Sequence, residues 1–346
     1  MILIDASFVN SLGAIKILSQ ILCEIKTSDK GKFFLFIDSR LKNNKNISIN
    51  SFKNILFIKK GILNRQIKYF SIKNKIKVIF SLGNIPLIFV SKKTYQITYN
   101  MQYFIFNQKH IPDLKLKIVW ILKSYIIKLF FFISNSDVAV QTKSMKYLFQ
   151  SKLSLPLNKI FEYPVFRVFK KTKFNKYSNS ILCISSGEKY KQIESLLEVM
   201  KKLNEEKNIR FNLILTVNSS YKSLINKINR YIKEGYNINN LGIIDEKKVE
   251  QLLSNNYRVI HPSKIESFGL VLVEAASKGN AIISPELDYV NDICIPSLTY
   301  KINDINGMKN AIERSFRENI SPSKLKIKDK TKELVNHLTN KLNGQD

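Results

Sequence analysis

Acidic side chains are scarce in this chain of 346 residues: 27 Asp and Glu stand against 56 Lys and Arg, a formal net charge of +29. The shortage excludes an acidic surface and points to anionic partners, namely lipid, nucleic acid or anionic substrates. It is also uneven. Residues 1–175 hold 30 basic side chains against 7 acidic ones, residues 176–346 hold 26 against 20, and residues 51–100 contain ten basic side chains and no acidic one. A bias toward Lys, Asn and Ile, visible in the run Lys42-Asn43-Asn44-Lys45-Asn46, raises the total but acts on both halves alike, so it explains the asymmetry poorly.

Cysteine is nearly absent. Cys23, Cys183 and Cys294 are odd in number, far apart and free of any CxxC pairing, which argues against a disulfide framework or structural zinc and fits a reducing compartment. The three histidines, His110, His261 and His337, are too scattered for a metal site and read as structural or solvated. No DxD-type metal motif occurs. The start, MILIDASFVNSLGAI, lacks the basic and long apolar segments of a secretory signal and reads as a buried first strand. No apolar run is long and uncharged enough to span a bilayer, which takes about 20 residues. The most hydrophobic stretch, residues 115–133, is broken by Lys115, Lys117, Lys123 and Lys128. It has two readings: a helix lying in the membrane interface, with Trp120 and the lysines at the lipid boundary, or a core helix whose lysines reach solvent. No solenoid repeat and no RRM, KH or zinc signature is present, so nucleic-acid binding is suggested by charge alone.

What is there suffices for two hydrophobic cores, with 45% apolar residues over a length exceeding one ordinary domain. Short apolar runs at 2–5, 33–38, 55–58 and 77–81 have the pattern of buried parallel strands, with a helix over 12–27; runs at 86–90 and 95–99 are a helix end or a further strand. Residues 170–180, KKTKFNKYSNS, are polar, without periodicity, and read as a linker. Beyond them strands at 181–185, 211–217, 241–244, 257–261 and 280–284 alternate with helices at 192–207, 221–234, 246–254 and about 269–278. Strict alternation predicts a doubly wound parallel sheet. A Lys-rich helix over about 322–342 ends the chain. The division expected is 1–169, linker 170–180, 181–320, and a terminal segment 321–346 that packs back on the first domain.

Ligands of open α/β sheets sit at the carboxyl ends of strands, near helix N-termini. The segment HPSKIESFGLVLVEAASKG, residues 261–279, is therefore the most informative. A strand ends at His261, and Ser267-Phe268-Gly269 leads into an apolar helix at Leu270. Gly269 allows close approach of an anion, and the amides of Phe268, Gly269 and Leu270 suit the oxygens of a diphosphate. Glu266 lies on the loop, and Glu274 stands one turn inside the helix among apolar neighbours, where a carboxylate is costly unless it faces a polar cleft. Taken singly, each also reads as a wetted loop or helix charge.

Taken together, Glu266 and Glu274 with seven residues between them, Phe268-Gly269 beside the first and Gly279 after the second closely resemble the E-x7-E signature of glycosyltransferase family 4. HPS before the loop, VEAASKGNAIIS after it and LDYVNDI beyond agree with that resemblance over about 35 residues. A second stretch, Ser185-Ser186-Gly187-Glu188-Lys189-Tyr190-Lys191, stands where the family presents an Arg and a Lys to the donor phosphates. Lys191 falls at the Lys position; Ser186 replaces the Arg, leaving that contact absent or supplied by Lys189. Looser likeness to bacterial O-antigen and capsule transferases extends to SFVNSLGAIKILSQIL, SLGNIP and DVAVQTKSMKYLF. Two departures stand in the first half: Leu12-Gly13-Ala14 where members often carry two glycines, and Tyr99-Asn100 where many carry His or Asp. Gly13, Tyr99 and Asn100 are the candidates there for a cleft-facing role.

The resemblance implies a GT-B fold, two Rossmann-like domains facing a cleft, with the donor site in the second. It implies a metal-independent, retaining hexosyltransferase without a cofactor, using a nucleoside-diphosphate sugar and a growing, lipid-linked glycan, at the inner face of the cytoplasmic membrane. Glu266 would contact the transferred sugar, Lys191 the diphosphate, and Glu274 the ribose; Ser186, Gly187, Lys189 and Ser267 through Leu270 would line the donor. The rivals are a non-catalytic protein of the same fold, a nucleotide-sugar epimerase of that fold, and a basic nucleic-acid-binding protein.

Overall fold

The computed structural model describes residues 1–44, 46–83, 85–99, 114–172 and 177–345. The described residues form two compact units, one within 1–99, 114–167 and 328–345, the other within 168–327.

The first unit is built on β1 (Ile2–Ala6), α1 (Leu12–Glu24), β2 (Phe33–Asp38), β3 (Ile55–Ile58), α2 (Ile62–Ile72), β4 (Val78–Leu82), β5 (Tyr95–Tyr99), α3 (Leu114–Ser134), β6 (Asp137–Val140), α4 (Lys143–Leu153) and β7 (Ile160–Glu162). Its seven strands form one parallel sheet in the order β3-β2-β1-β4-β5-β6-β7. Alternation along the strands splits the core in two. Ile2, Ile4, Phe33, Leu35, Val78, Phe80, Ile97 and Ala139 face α1, whereas Leu3, Phe34, Phe36, Ile79, Val138 and Val140 face the opposite layer. Helix starts are set by side-chain caps: Ser11 accepts from the Ala14 amide, and Thr142 from that of Met145.

The second unit contains β8 (Ser180–Cys183), α5 (Ile193–Lys207), β9 (Asn212–Leu215), α6 (Lys222–Lys233), β10 (Ile238–Asn240), α7 (Glu246–Leu253), β11 (Arg258–Ile260), α8 (Leu270–Lys278), β12 (Ile282–Pro285), α9 (Asp288–Ile293), β13 (Cys294–Ile295), β14 (Leu298–Tyr300), α10 (Ile305–Arg317) and β15 (Lys324–Leu325). Six strands make a parallel sheet, β10-β9-β8-β11-β12-β14, and β13 pairs antiparallel with β15. Strand order reverses between β8 and β11, and ligands of such sheets gather at a reversal of this kind. The chain then returns to the first unit as α11 (Thr331–Asn343), whose Leu334 and Leu338 enter the core beside α1.

Both sheets are the doubly wound parallel sheets the alternation predicts. Two expected elements are corrected. The strand expected at 241–244 is Ile238–Asn240: Asn240 accepts from the Val217 amide and donates to the Val217 carbonyl, so its polar side chain is satisfied, and Gly242 at φ +67° turns the chain away. The final helix starts at Thr331, not 322, because Lys324–Leu325 pairs with Cys294–Ile295 and Ser323 accepts from the Ile282 amide. The polar stretch 170–180 is tied down where it is described: the Thr172 amide donates to the Lys278 carbonyl, and the Ser178 amide to that of Asn256. Residues 86–90 hold no regular element, and 95–99 is a strand.

Candidate donor site in the second unit

Strands β8 and β11 are hydrogen-bonded neighbours, with Arg258 opposite Ile181 and Val259 opposite Leu182. Parallel pairing puts the segments leaving them, residues 184–192 and 261–269, side by side at one edge of the sheet. Two backbone-directed contacts fix the second segment: the Tyr289 hydroxyl donates to the Ser263 carbonyl at 2.7 Å, and the Ser263 hydroxyl to that of Ile265 at 3.0 Å. A third ties the segments together, the Lys264 amide donating to the Tyr190 carbonyl at 2.8 Å. Ile265 and Phe268 are buried beneath this loop as its apolar anchors.

On this frame Lys191 donates to the Glu266 carboxylate, although the two stand 75 positions apart in sequence. Both are largely enclosed, at 13% and 15% side-chain exposure. His261, buried at the end of β11, brings Nε2 to 3.3 Å from the same carboxylate oxygen without reaching hydrogen-bond alignment. Burial by itself would raise the Glu266 carboxyl. The charge of Lys191, the proximity of His261 and the Lys191 hydrogen bond outweigh it and hold the group at about 2. Glu266 is thus an anion with a fixed position at neutral pH. Lys191 spends one of its three ammonium donors on Glu266, leaving two for another acceptor.

The loop enters α8 at Gly269, whose φ of +66° is left-handed; a Cβ there would also press on Leu272 Cδ1 at 3.2 Å. The first amides of α8 have no intrahelical acceptor and carry the positive end of the helix dipole. Ser267, Phe268, Gly269 and Leu270 therefore stand at the positive end of a helix, the kind of corner at which anions bind. Glu274 lies one turn further on, 5% exposed. In the facing segment, the Ser185 amide donates to Thr216 Oγ1 at 2.9 Å, and Gly187 packs so closely on Tyr221 that a Cβ would stand 2.4 Å from the ring. Lys189 is exposed at the start of the turn Lys189–Lys191, and Ser186 is half-buried beside Gly187.

The fold thus brings Glu266 and Lys191 into contact and sets Ser186, Gly187, Lys189, the 267–270 corner and Glu274 on the two segments that flank them. The first-unit candidates fare differently. Tyr99 is a correction: its side chain is fully buried, packs edge-on against Phe80 and donates its hydroxyl to the Tyr163 carbonyl at 2.7 Å, because the register of β5 turns it into the core beside α1. Gly13 is the second residue of α1, and Asn100 lies outside the described residues. His261, expected to be merely structural or solvated, touches the carboxylate at the centre of the site. Its one sequence signal was its place at the end of the strand. Among the described residues no group of three or more His, Cys, Asp or Glu could hold a metal ion.

Residues 165–330 match the family model for glycosyl transferases group 1, a span that includes all of the second unit from Val168 onward. No curated protein matches the chain by sequence. Solved structures similar in fold include Staphylococcus aureus TarM, crystallised with UDP, fondaparinux and α-GlcNAc-glycerol (15% identity, TM-score 0.56, covering 74% of this chain and 52% of TarM). Anabaena HepE in complex with UDP and glucose is similar at 11% identity and TM-score 0.64, over 92% of this chain and 90% of HepE. WaaG, a glycosyltransferase involved in lipopolysaccharide biosynthesis, matches at 11% identity and TM-score 0.62, over 92% of this chain and 91% of its own. This chain spans about half the length of TarM and nearly all of the other two. Its scaffold is the GT-B fold of these structures, and the second unit is the part that matches the glycosyl transferases group 1 model.

Proposed function

We propose that the chain is a retaining, family 4-type glycosyltransferase that moves a hexose from a nucleoside-diphosphate sugar to a hydroxyl of a growing surface glycan of the O-antigen or capsule kind. The observation that carries the proposal is the Lys191–Glu266 contact at the β8/β11 reversal, beside the N-terminus of α8. In the reaction the bond from the anomeric carbon to the diphosphate oxygen breaks, a bond to the acceptor oxygen forms, and the acceptor proton leaves with the nucleoside diphosphate. The chemical difficulty is charge on the leaving diphosphate, which the corner amides and the remaining donors of Lys191 offset in a site largely closed to water. Glu266 orients the sugar, and Glu274 accepts from the ribose hydroxyls. His261 keeps Glu266 in place.

A thermal-shift screen with UDP, GDP, dTDP and ADP tests the proposal. One of the four should raise the melting temperature, UDP being the nucleotide in the TarM and HepE structures. No shift with any of them, in protein that unfolds cooperatively, would remove the donor site.

The acceptor is proposed to be lipid-linked and the enzyme peripheral on the inner face of the cytoplasmic membrane. Among the described residues no helix is long and apolar enough to cross a membrane. Helix α3 supports the reading in another way. Trp120, Ser124, Ile127 and Phe131 form a buried stripe, whereas Ile118, Leu122, Tyr125, Leu129 and Phe132 point outward, Phe132 at 86% exposure. At about 100° per residue, Lys117 and Lys128 fall on one flank of the outer ridge and Lys123 on the other. An apolar ridge between lysines suits a helix lying in a lipid interface. Flotation with anionic and with neutral vesicles tests it; equal recovery with both counts against it.

A further inference from the structure

Helix α2 is inside out. Its buried face carries Arg65, Gln66 and Tyr69, while Leu63, Ile67 and Phe70, at spacings of four and three, face outward, Leu63 at 77% and Ile67 at 62% exposure. The polar face has its partners inside. Arg65 lies 3.2 Å from Asp5 on β1 and donates to the carbonyls of Ile85 and Pro86 at 2.9 and 2.7 Å. Gln66 accepts from the Ile88 amide at 3.1 Å. These bonds clamp residues 85–88 to α2 and present the next residue, Phe89, outward. Phe89 is 66% exposed at φ +58°, a backbone conformation that non-glycine residues avoid unless their surroundings impose it. Among the described residues, none of Leu63, Ile67, Phe70 and Phe89 enters the hydrophobic core clusters of the first unit.

We propose that the outer ridge of α2, together with Phe89, is a second membrane-contact element that seats in an anionic lipid surface alongside α3. Three observations select lipid as the occupant. Every basic side chain between residues 51 and 100 except Arg65 is an exposed lysine, nine in all, and the same stretch has no carboxylate. Both ridges are convex; a bilayer accepts a convex apolar ridge without a matching groove, and lysines around it remain at the headgroups. Lys73, with its ammonium 5.7 Å from the Phe70 ring, already shows this arrangement. Finally, both helices cover one side of the sheet. Right-handed crossovers from β3 to β4 and from β5 to β6 run in the same direction along it, opposite to that from β1 to β2. The core clusters agree, with Tyr69 of α2 and Phe131 of α3 packing on the strand face turned away from α1. One plane can therefore engage α2, over about 17 Å, and α3, over about 32 Å.

The inference rests on the membrane reading of α3, and the test separates the two. Full-length wild type, a Leu63→Ser/Ile67→Ser/Phe89→Ser variant and a Leu122→Ser/Leu129→Ser variant are floated with phosphatidylcholine vesicles with and without phosphatidylglycerol. All the substituted side chains are exposed, so melting temperature and nucleotide binding should be unchanged. Each variant should partition into anionic vesicles at least about tenfold more weakly than wild type, given the apolar area each removes. If the α2 variant floats like wild type while the α3 variant does not, the α2 proposal is overturned and the α3 reading stands. If wild type does not float, both fail and the glycosyl-transfer reading is untouched. A dimer in sedimentation that the α2 substitutions dissolve, with vesicle binding intact, would assign the ridge to a second copy of the chain and also overturn the proposal.

Discussion

Acid should weaken the donor loops through one carboxyl group. Glu266 titrates at about 2 in the folded protein against 4.5 for an ordinary glutamate. A depressed carboxyl contributes stability that is fully present above its unfolded value and is lost as pH falls through its folded one. The difference amounts to about 3 kcal/mol near pH 6; near pH 3, where the unfolded carboxyl is protonated and the folded one still ionised, only about 1 kcal/mol remains. Glu266→Gln removes the titration while keeping the shape. The stability gap between wild type and Glu266→Gln should therefore narrow by about 2 kcal/mol between pH 6 and pH 3. Urea titrations read by hydrogen exchange of peptides covering 181–192 and 258–270 report the second unit alone. A gap that stays constant across that interval would refute the claim that Lys191 and His261 hold Glu266 as an anion.

Gly187→Ala places a methyl against the Tyr221 ring and should destabilise the second unit by about 1–3 kcal/mol; Tyr221→Ala should relieve most of that, and equal calorimetric losses in both backgrounds would contradict the clash. Arg65→Leu strands the buried Asp5 carboxylate and should cost about 3–5 kcal/mol in urea unfolding; adding Asp5→Asn should recover part of the loss, and no recovery would show that the charge pair is not the cause. Glu274→Ala should weaken nucleotide binding in thermal shift, whereas Glu266→Ala should mainly slow sugar transfer. Equal nucleotide affinity for wild type and Glu274→Ala removes the ribose assignment.

The second unit was legible because its strands are buried on both faces and so read as uninterrupted apolar runs, as at Ile181–Cys183 and Ile282–Ile283. The loop-to-helix corner was legible because Gly269 sits where a left-handed turn must precede an apolar helix. Elements that depend on distant partners were not. The strand Ile238–Asn240 shows no apolar pattern, since two of its three residues are asparagines, one of them satisfied by Val217. The last helix starts late because Lys324–Leu325 is claimed by Cys294–Ile295. Tyr99 looked like a polar residue at a strand end, but its register sends it inward. His261 acquires chemistry only when the chain loops back and sets Glu266 beside it. Likewise, Leu63, Ile67 and Phe70 have the spacing of a core stripe, and only the bonds of Arg65 and Gln66 to residues 85–88 show that the helix is turned the other way.

Hydrogen exchange of the full chain with and without each of UDP, GDP, dTDP and ADP addresses the donor site directly. At least one nucleotide should slow exchange in both segments that leave the β8/β11 reversal, residues 186–191 and 267–274, and Glu274→Ala should diminish the effect. Protection confined to other parts of the chain, or none with any of the four, would contradict the assignment.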